Sequence, residues 1–197
     1  MTSESYKYDI FEIYINNLVL AQKTYLIPAA EKLTNLMFDA WQNDRTVYLC
    51  GNGGSGANAL HMANDLMLFG QKEKIKGVKT EALNANIAVV TCIANDESFE
   101  DIFVNQLKTK LNQNDILLVL SGSGNSKNII NAIEFANSID ALSIGVLGFD
   151  GGKAKGLVKE LIHFAVNDMQ VVEDLQISLV HMLMKQLTVL TSNANLS

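Results

Sequence analysis

Two short segments rich in glycine and serine carry donors that could hold an anion. The first, at 51–56, follows an apolar run and precedes a helical pattern, and the second, at 121–126, occupies the same kind of position. Small residues at a helix start let backbone N–H groups and hydroxyls converge on an anion such as a phosphate. Each turn alone could equally be a tight strand-to-helix connection with a capping serine. Two of them at the carboxyl ends of parallel strands favour a ligand site.

The first turn also matches the spacing of a dinucleotide-binding fingerprint through Gly51, Gly53 and Gly56. That fingerprint needs an acidic residue at the end of the second strand, about 20 residues later, to bind the ribose hydroxyl. This sequence has no acidic residue that ends a strand at that distance. We therefore expect the turns to bind a phosphate monoester rather than a dinucleotide.

Two pairs of titratable residues lie on helical patterns at spacings that could serve one site. His61 and Asp65 are four residues apart and share one face of the helix after the first turn. Glu173 and His181 lie on the last helical pattern, roughly 80° apart around its axis. Two imidazoles and two carboxylates could bind a metal ion or supply an acid and a base. Interior histidines with structural roles are the alternative.

The hydrophobic pattern predicts an α/β chain. Residues 6–44 have helical periodicity with a break near Pro28, and an amphipathic helix covers 170–191. Between them, short apolar runs predict buried parallel strands that alternate with helices, and residues 70–86 are expected to form a loop. The predicted strands are 46–50, 87–93, 116–120, 142–147 and 161–166, and the predicted helices are 56–69, 98–111, 127–138 and 153–160.

A further polar pair, Asn95 and Asp96, comes directly after the predicted strand 87–93. At the carboxyl end of a parallel strand these side chains could face a ligand. The alternative is an N-cap for the helix at 98–111. His163, inside another predicted strand, is expected to be structural.

The composition excludes several classes of protein. Hydrophobic residues make up 48% of the 197 residues and charged residues 18%, which suits a folded core and argues against disorder. The net charge is −6, and only one of the 15 basic residues is an arginine, Arg45. Nucleic-acid binding depends on clustered lysine and arginine, so no nucleic-acid partner is expected. A bound phosphate must be held mainly by backbone N–H groups and hydroxyls.

The sequence also predicts a cytoplasmic protein without a membrane partner. The first residues are polar and acidic, unlike a secretory signal. No apolar run reaches the length of about 18 residues that indicates a membrane span. Cys50 and Cys92 both lie in apolar runs, so we expect buried, reduced thiols rather than a disulfide or a metal pair.

Together, these motifs resemble the sugar isomerase (SIS) domain family and, within it, the phosphoheptose isomerases. The resemblance covers about residues 10 to 190 and rests on 50–55, His61, 93–96, 121–126, 150–152 and His181. It implies a flavodoxin-like parallel five-stranded sheet flanked by helices, with terminal helices that pack a homotetramer and active sites at subunit interfaces. The implied single SIS domain, 1–197, consists of N-terminal helices 6–44, an α/β core 45–168 and a C-terminal helix 170–191.

The same resemblance implies an aldose–ketose isomerase. It would convert sedoheptulose 7-phosphate to glycero-manno-heptose 7-phosphate through an enediol or enediolate, in the carbohydrate metabolism that supplies nucleotide-heptose and lipopolysaccharide. The implied substrate- and phosphate-binding residues are Asn52, Gly53, Gly54, Ser55, Asn95, Asp96, Ser121, Gly122, Ser123, Ser126 and Glu173. One zinc ion per site would be held by His61, Asp65, Glu173 and His181, of which Asp65, Glu173 and His181 would be catalytic.

The sequence departs from the family pattern around this site. The family has Glu at Asp65, Gln at Glu173, Asp at Gln170 and Thr at Gly122, and Gln71 stands near a usual Arg. Because these positions surround the expected substrate, isomerisation of a different sugar phosphate is one alternative. A non-catalytic sugar-phosphate-binding or adaptor SIS protein is the other, although an adaptor has no need of both His61 and His181.

Overall fold

The chain folds as a parallel β-sheet between two layers of helices. The computed structural model describes the backbone of residues 3–71 and 74–194 and the side chains of 9–71 and 74–192. The elements in chain order are α1 (Ser3–Gln42), β1 (Thr46–Gly51), α2 (Gly53–Leu68), β2 (Lys79–Ala82), α3 (Ile87–Asp96), α4 (Val104–Lys110), β3 (Ile116–Ser121), α5 (Lys127–Ser138), β4 (Leu142–Leu147), β5 (Glu160–His163) and α6 (Met169–Ala194). Short 3-10 helices lie at Phe99–Asp101 and Lys153–Gly156.

The order of the strands places a crevice between β1 and β3. The five strands are all parallel and follow the order β2-β1-β3-β4-β5, which confirms the predicted flavodoxin-like fold. Gly51 at the end of β1 pairs with Leu120 near the end of β3, so the two strands stop at the same level. The order reverses between these strands, and the turns that follow them open at the edge where such sheets bind ligands.

The alternation of side chains along β1 explains which helices cover each face. Val47 and Leu49 point into a core formed with α1, α2 and α6. Tyr48 and Cys50 point to the opposite face, into a core formed with α4 and α5. Because α2 and α6 cover the same face, the candidate side chains that they carry lie on one side of the sheet.

The predicted break at Pro28 is wrong. α1 runs without interruption through Pro28, which is exposed, while Leu26 before it and Leu33 after it are buried. Proline removes one helical hydrogen bond, but packing of the flanking apolar residues on both sides holds the helix together. The structure also describes one C-terminal helix, as predicted for 170–191.

The predicted strand at 87–93 is also wrong, because this segment is the helix α3. None of the α3 residues is buried, although the segment is rich in β-branched residues. The fifth strand of the sheet is instead β2, inside the predicted loop 70–86. β2 pairs only with β1 and lies at an edge of the sheet, where its charged residues Lys79 and Glu81 are tolerated.

Two of the predicted helices are shorter than expected. The segment 98–111 begins with a separate 3-10 turn, because Ser98 Oγ accepts a hydrogen bond from the Glu100 N–H and Phe103 turns into the core before α4 starts. At 153–160 only a 3-10 turn forms, and β5 begins at Glu160. The predicted helix 127–138 coincides with α5. Among the residues that the structure describes, no helix combines the length and hydropathy needed to cross a membrane.

Candidate active site

A cavity of about 280 Å³ lies at the carboxyl edge of the sheet, where the turns after β1 and β3 meet. It is lined by Asn52, Gly53, Gly54, Ser55, Ser121, Gly122, Ser123, Ser126, Met169 and Glu173. All of these residues except Met169 belong to the predicted substrate-binding set. Among the residues that the structure describes, no lysine or arginine lines the cavity. Hydroxyls and backbone N–H groups are therefore the donors that this cavity offers to an anion.

The two helices that begin at the cavity have uncapped N-termini. Asn52 precedes α2 and Ser126 precedes α5, and both are residue types that normally cap a helix. Neither side chain makes a capping hydrogen bond to its own helix. The first backbone N–H groups of α2 and α5 therefore keep free hydrogen-bonding capacity, and the positive ends of both helix dipoles lie at the cavity.

A reciprocal pair of amide hydrogen bonds joins the two turns. Asn52 Nδ2 donates to Asn128 Oδ1 at 2.9 Å, and Asn128 Nδ2 donates to Asn52 Oδ1 at 3.0 Å. Asn128 lies in the first turn of α5 and is buried. Asn128 was not among the predicted site residues, because only the pairing of β1 with β3 brings it opposite Asn52. The pair fixes the position of one anion-binding turn relative to the other.

Close contacts at two glycines set the walls of the cavity. A side chain at Gly54 would overlap the carboxylate of Glu173, so only glycine lets α6 place this carboxylate against the first turn. A side chain at Gly122 would overlap the thioether of Met169. Met169 therefore occupies the space that a threonine at position 122 would fill, and it is a cavity residue that the sequence analysis did not predict.

His61, Asp65 and His181 form a separate cluster of titratable groups. The Nε2 atoms of His61 and His181 are 3.1 Å apart, and His61 Nε2 is 3.3 Å from Asp65 Oδ2. One atom from each residue can be chosen so that all three lie within 4.8 Å of one another. The two histidines come from α2 and α6, 120 residues apart in sequence. Glu173 lies on a different side of α6 from His181 and lines the cavity instead. Its role as a fourth metal ligand stays a prediction.

The donor set of this cluster fits a zinc ion. Zinc binds imidazole nitrogens and carboxylate oxygens in tetrahedral sites. Ligand atoms about 2.0 Å from a tetrahedral ion are about 3.3 Å from one another, which is close to the spacings of the His61 Nε2 atom from its two neighbours. A hydrogen bond between two Nε2 atoms needs a proton on one of them, and a metal ion would take the place of that proton.

Asn95 and Asp96 lie at the end of α3, outside the residues that line the cavity. Both side chains are exposed. Asn95 Nδ2 donates to Asp96 Oδ1 at 2.8 Å and Cys92 Sγ donates to Asp96 Oδ2 at 3.4 Å, and these bonds lower the pKa of the Asp96 carboxyl. The prediction of two buried thiols holds for Cys50 only, because Cys92 is exposed. Burial raises the pKa of the Cys50 thiol.

A larger cavity lies elsewhere in the described part of the molecule. A cavity of about 420 Å³ lies between α1 and α6, where Ile27, Thr34, Met182 and Leu190 are among the lining residues. It has Glu31 as its one charged residue and no glycine turn. The cavity between β1 and β3 is smaller, but it combines helix N-termini, hydroxyls and a carboxylate, which are the groups that sugar-phosphate chemistry needs.

Comparison of the sequence with known proteins gives a consistent result. A family model described as SIS domain matches residues 11–148. A phosphoheptose isomerase from Helicobacter hepaticus is 34% identical over 168 residues, which are 85% of this chain and 85% of that protein. A phosphoheptose isomerase from Helicobacter pylori is 33% identical over 155 residues, which cover 79% of this chain and 80% of that protein.

Solved structures agree with these sequence matches. A phosphoheptose isomerase from Francisella tularensis superposes with a TM-score of 0.86 at 27% identity, covering 95% of this chain and 99% of that one. The phosphoheptose isomerase from Neisseria gonorrhoeae superposes with a TM-score of 0.83 at 28% identity, covering 94% of this chain and 98% of that one. Both similarities extend over nearly the whole length of each chain.

Proposed function

This chain belongs to the SIS domain family and, within it, to the phosphoheptose isomerases, and from that membership we infer that it is a sugar-phosphate isomerase. It interconverts sedoheptulose 7-phosphate and glycero-manno-heptose 7-phosphate, a ketose and an aldose. The observation that carries this function is the cavity between β1 and β3, where two uncapped helix N-termini face a carboxylate across a small volume. One bound molecule can therefore place its anionic group at the helix N-termini and its reacting carbon atoms near the carboxylate.

The phosphate binds at the two turns. Backbone N–H groups at the starts of α2 and α5 and the hydroxyls of Ser121, Ser123 and Ser126 supply its hydrogen bonds. Among these hydroxyls, that of Ser126 has no hydrogen bond to its own helix and is free to bind the ligand. Binding energy from this remote group orients the sugar carbons for proton transfer.

Glu173 performs the carbon-to-carbon proton transfer. Isomerisation moves a proton from C1 to C2 of the ketose and a second proton from the C1 hydroxyl to the C2 carbonyl oxygen, through an enediol or enediolate. Of the predicted catalytic residues Asp65, Glu173 and His181, only Glu173 lines the cavity. Its carboxylate stands where the family has Gln, while Asp65, one methylene shorter than the family Glu, is next to His61. His181 is the proposed second proton-transfer group, through the ring nitrogen that does not bind the metal.

His61, Asp65 and His181 hold one zinc ion, with Glu173 as the candidate for a fourth ligand. When bound, zinc stabilises the negative charge that develops on a substrate oxygen. Asp65 and the two imidazoles supply a ligand set of net charge −1 when both rings are neutral. The prediction is that dialysis against a chelator lowers kcat, that Zn²⁺ restores it, and that His61→Ala prevents the restoration. An isomerase whose kcat survives complete removal of metal would contradict a metal requirement.

The homotetramer implied by the resemblance is supported by the exposed face of α1. Seven large apolar side chains in the part of α1 whose side chains are described, from residue 9 onwards, are exposed: Ile10, Phe11, Ile13, Ile15, Val19, Leu20 and Ile27. An apolar surface of this kind is typical of a subunit interface. Light scattering should give four times the chain mass of 21.6 kDa, and Ile13→Lys should lower the mass of the assembly. A monomer at micromolar concentration would contradict the tetramer and the active sites at its interfaces.

The whole chain, 1–197, acts as one SIS domain in the cytoplasm, in the supply of nucleotide-heptose for lipopolysaccharide. A cytoplasmic location suits a phosphorylated substrate, because charged phosphate esters are costly to transfer through a lipid bilayer. Deletion of the gene should remove heptose from the surface polysaccharide, and fractionation should recover the protein with the cytoplasmic contents.

The direct test is turnover of sedoheptulose 7-phosphate by the purified protein with Zn²⁺, followed by NMR of the aldose product. The reaction is run in D₂O. Formation of the aldose with one deuterium incorporated at C2 supports an isomerase that works through proton transfer. Turnover of another ketose phosphate alone would assign a different substrate. Binding of sugar phosphates without any turnover would identify a sugar-phosphate-binding or adaptor protein instead.

A further inference from the structure

A buried asparagine on α2 connects the two helices that carry the titratable groups. Asn58 lies three residues before His61, and the residue is 8% exposed. Its Nδ2 atom donates to the backbone carbonyl of Glu173 at 3.0 Å and to Gln176 Oε1 at 3.0 Å. Both acceptors belong to α6, so one amide group bonds to the backbone and to a side chain of the opposite helix.

This connection has few substitutes. Within the described part of the chain, the only other hydrogen bond between α2 and α6 is the contact of His61 with His181. The apolar contacts between these helices are not directional. Hydrogen bonds prefer a narrow range of distances and angles. Asn58 therefore sets the axial register of α6 against α2 and the distance between the two helices.

The environment of Gln176 makes the connection sensitive to change. Gln176 is fully buried, and its Nε2 atom has no hydrogen-bond partner among the described residues. The Oε1 atom of Gln176 does have a partner, because it accepts the hydrogen bond from Asn58 Nδ2. Loss of the Asn58 donor would leave the whole Gln176 amide unpaired in the core and would favour a shift of the helix.

We propose that Asn58, together with Gln176, is a positioning residue that fixes the spacing of His61 and His181 and the approach of Glu173 to the cavity. The inference rests on the proposed function, in which these groups act on one substrate. Asn58 touches none of the reacting atoms and acts only through the register of α2 against α6. The phosphate turns do not depend on this contact, because Asn52 and Asn128 connect them separately.

The main test compares Asn58→Leu with a matched control on α6. Leucine has the same branching and the same number of side-chain heavy atoms as asparagine but no donor. The control is Thr191→Val, which removes a buried hydroxyl that bonds only to its own helix, at the carbonyls of Leu187 and Thr188. We expect Asn58→Leu to lower kcat by about 10–100-fold and to weaken binding of Zn²⁺ alone, measured by calorimetry, by about the same factor. KM should change less than about threefold, and Thr191→Val should change none of these values more than about twofold.

Two further measurements keep the result decisive. The imidazole nitrogen shifts of His61 and His181, recorded without metal or substrate, should change in Asn58→Leu and not in Thr191→Val, even if the wild type turns over no heptose phosphate. Gln176→Met removes the acceptor and substitutes an apolar side chain of similar length. It should give the same losses of kcat and of zinc affinity, and it replaces Asn58→Leu if that variant does not fold. Asn58→Asp should give an intermediate kcat, because Gln176 Nε2 can donate to the new carboxylate. Unchanged histidine shifts, or equal losses in Asn58→Leu and Thr191→Val, would overturn the positioning role.

Discussion

Four helices of the described chain, α2, α3, α5 and α6, follow an asparagine, aspartate or serine, and these cap residues behave in two different ways. At α3 and α6 the N-cap side chains bond to their own helices, since Asn86 accepts from the Val89 N–H and Asp168 accepts from the N–H groups of Gln170 and Val171. At α2 and α5 the cap residues Asn52 and Ser126 make no such bond.

The residue types do not explain this difference, because asparagine, aspartate and serine are all good caps. The helices differ in what precedes them: α2 and α5 follow the two glycine-rich turns that form the cavity, α3 begins outside it, and α6 reaches it through the side chains of Met169 and Glu173. An absent cap costs about 0.5–2 kcal/mol of stability. That cost is what the proposed phosphate site requires, because uncapped N–H groups stay available for an anion. α6, which is capped, contributes to the site through the side chains of Glu173 and His181.

The largest effect is expected from a change on the capped helix. Glu173→Gln should lower kcat by about 10²–10⁴-fold, because an amide cannot accept the carbon-bound proton. The affinity for inorganic phosphate, measured by calorimetry, should not fall, because the proposed phosphate donors lie on the turns before α2 and α5 and the change removes a negative charge from the cavity. Glu134→Gln, at an exposed position of α5, is the control and should leave kcat unchanged. Retention of kcat in Glu173→Gln together with its loss in Asp65→Asn would assign the proton transfer to Asp65.

An intermediate effect is expected at an uncapped helix. Ser126→Ala should raise KM at least about tenfold, because a hydrogen bond to a charged group contributes about 1.5–3 kcal/mol. The melting temperature of the ligand-free protein should not fall, because the Ser126 side chain does not cap α5. A lower melting temperature with an unchanged KM would show that Ser126 is an ordinary cap, and the comparison would then fail.

The capped helix α6 should respond in the opposite way. Asp168→Ala should lower the free energy of unfolding by about 1 kcal/mol, which corresponds to about 2–4 °C in a protein of this size. KM should remain within about twofold of the wild-type value, because Asp168 does not line the cavity. Calorimetric melting and steady-state kinetics on the same preparation measure both quantities. Asp168→Asn, which keeps a side-chain oxygen for capping, should lose less stability than Asp168→Ala.

The smallest effect concerns a contact remote from the turns, between α1 and α6. Tyr14 donates to Asp174 Oδ2 at 2.6 Å, and this bond, with burial and the negative charges nearby, raises the pKa of Tyr14 to about 12. A raised folded-state pKa means that the contact stabilises the protein fully below pH 10 and that this contribution disappears as the pH rises towards 12. The urea midpoint should therefore fall more steeply between pH 10 and 12 in the wild type than in Tyr14→Phe. Identical pH dependence in both proteins would remove Tyr14 from this role.

Much of the fold and of the lining of the cavity between β1 and β3 was predictable because the signals are local. A run of apolar residues followed by small residues and a helical pattern predicts a strand, a turn and a helix, and both turns lie where this pattern places them. The pattern failed at 87–93, because β-branched residues indicate a strand only if they are buried, and α3 has no buried residue. It failed again at β2, whose charged residues are acceptable only at the edge of a sheet.

The sequence by itself determined the residue types for anion binding and proton transfer, and their spacing along each helix. Tertiary structure decided which of them meet. The contact of His61 with His181 spans 120 residues, and the amide pair of Asn52 with Asn128 exists only because β1 and β3 are neighbours in the sheet. The separation of Glu173, in the cavity, from the cluster of His61, Asp65 and His181 follows from where α6 passes Gly54. The spacing of residues along a helix determines only on which side of the helix they lie. Packing of the helices against the sheet determines which residues face that side.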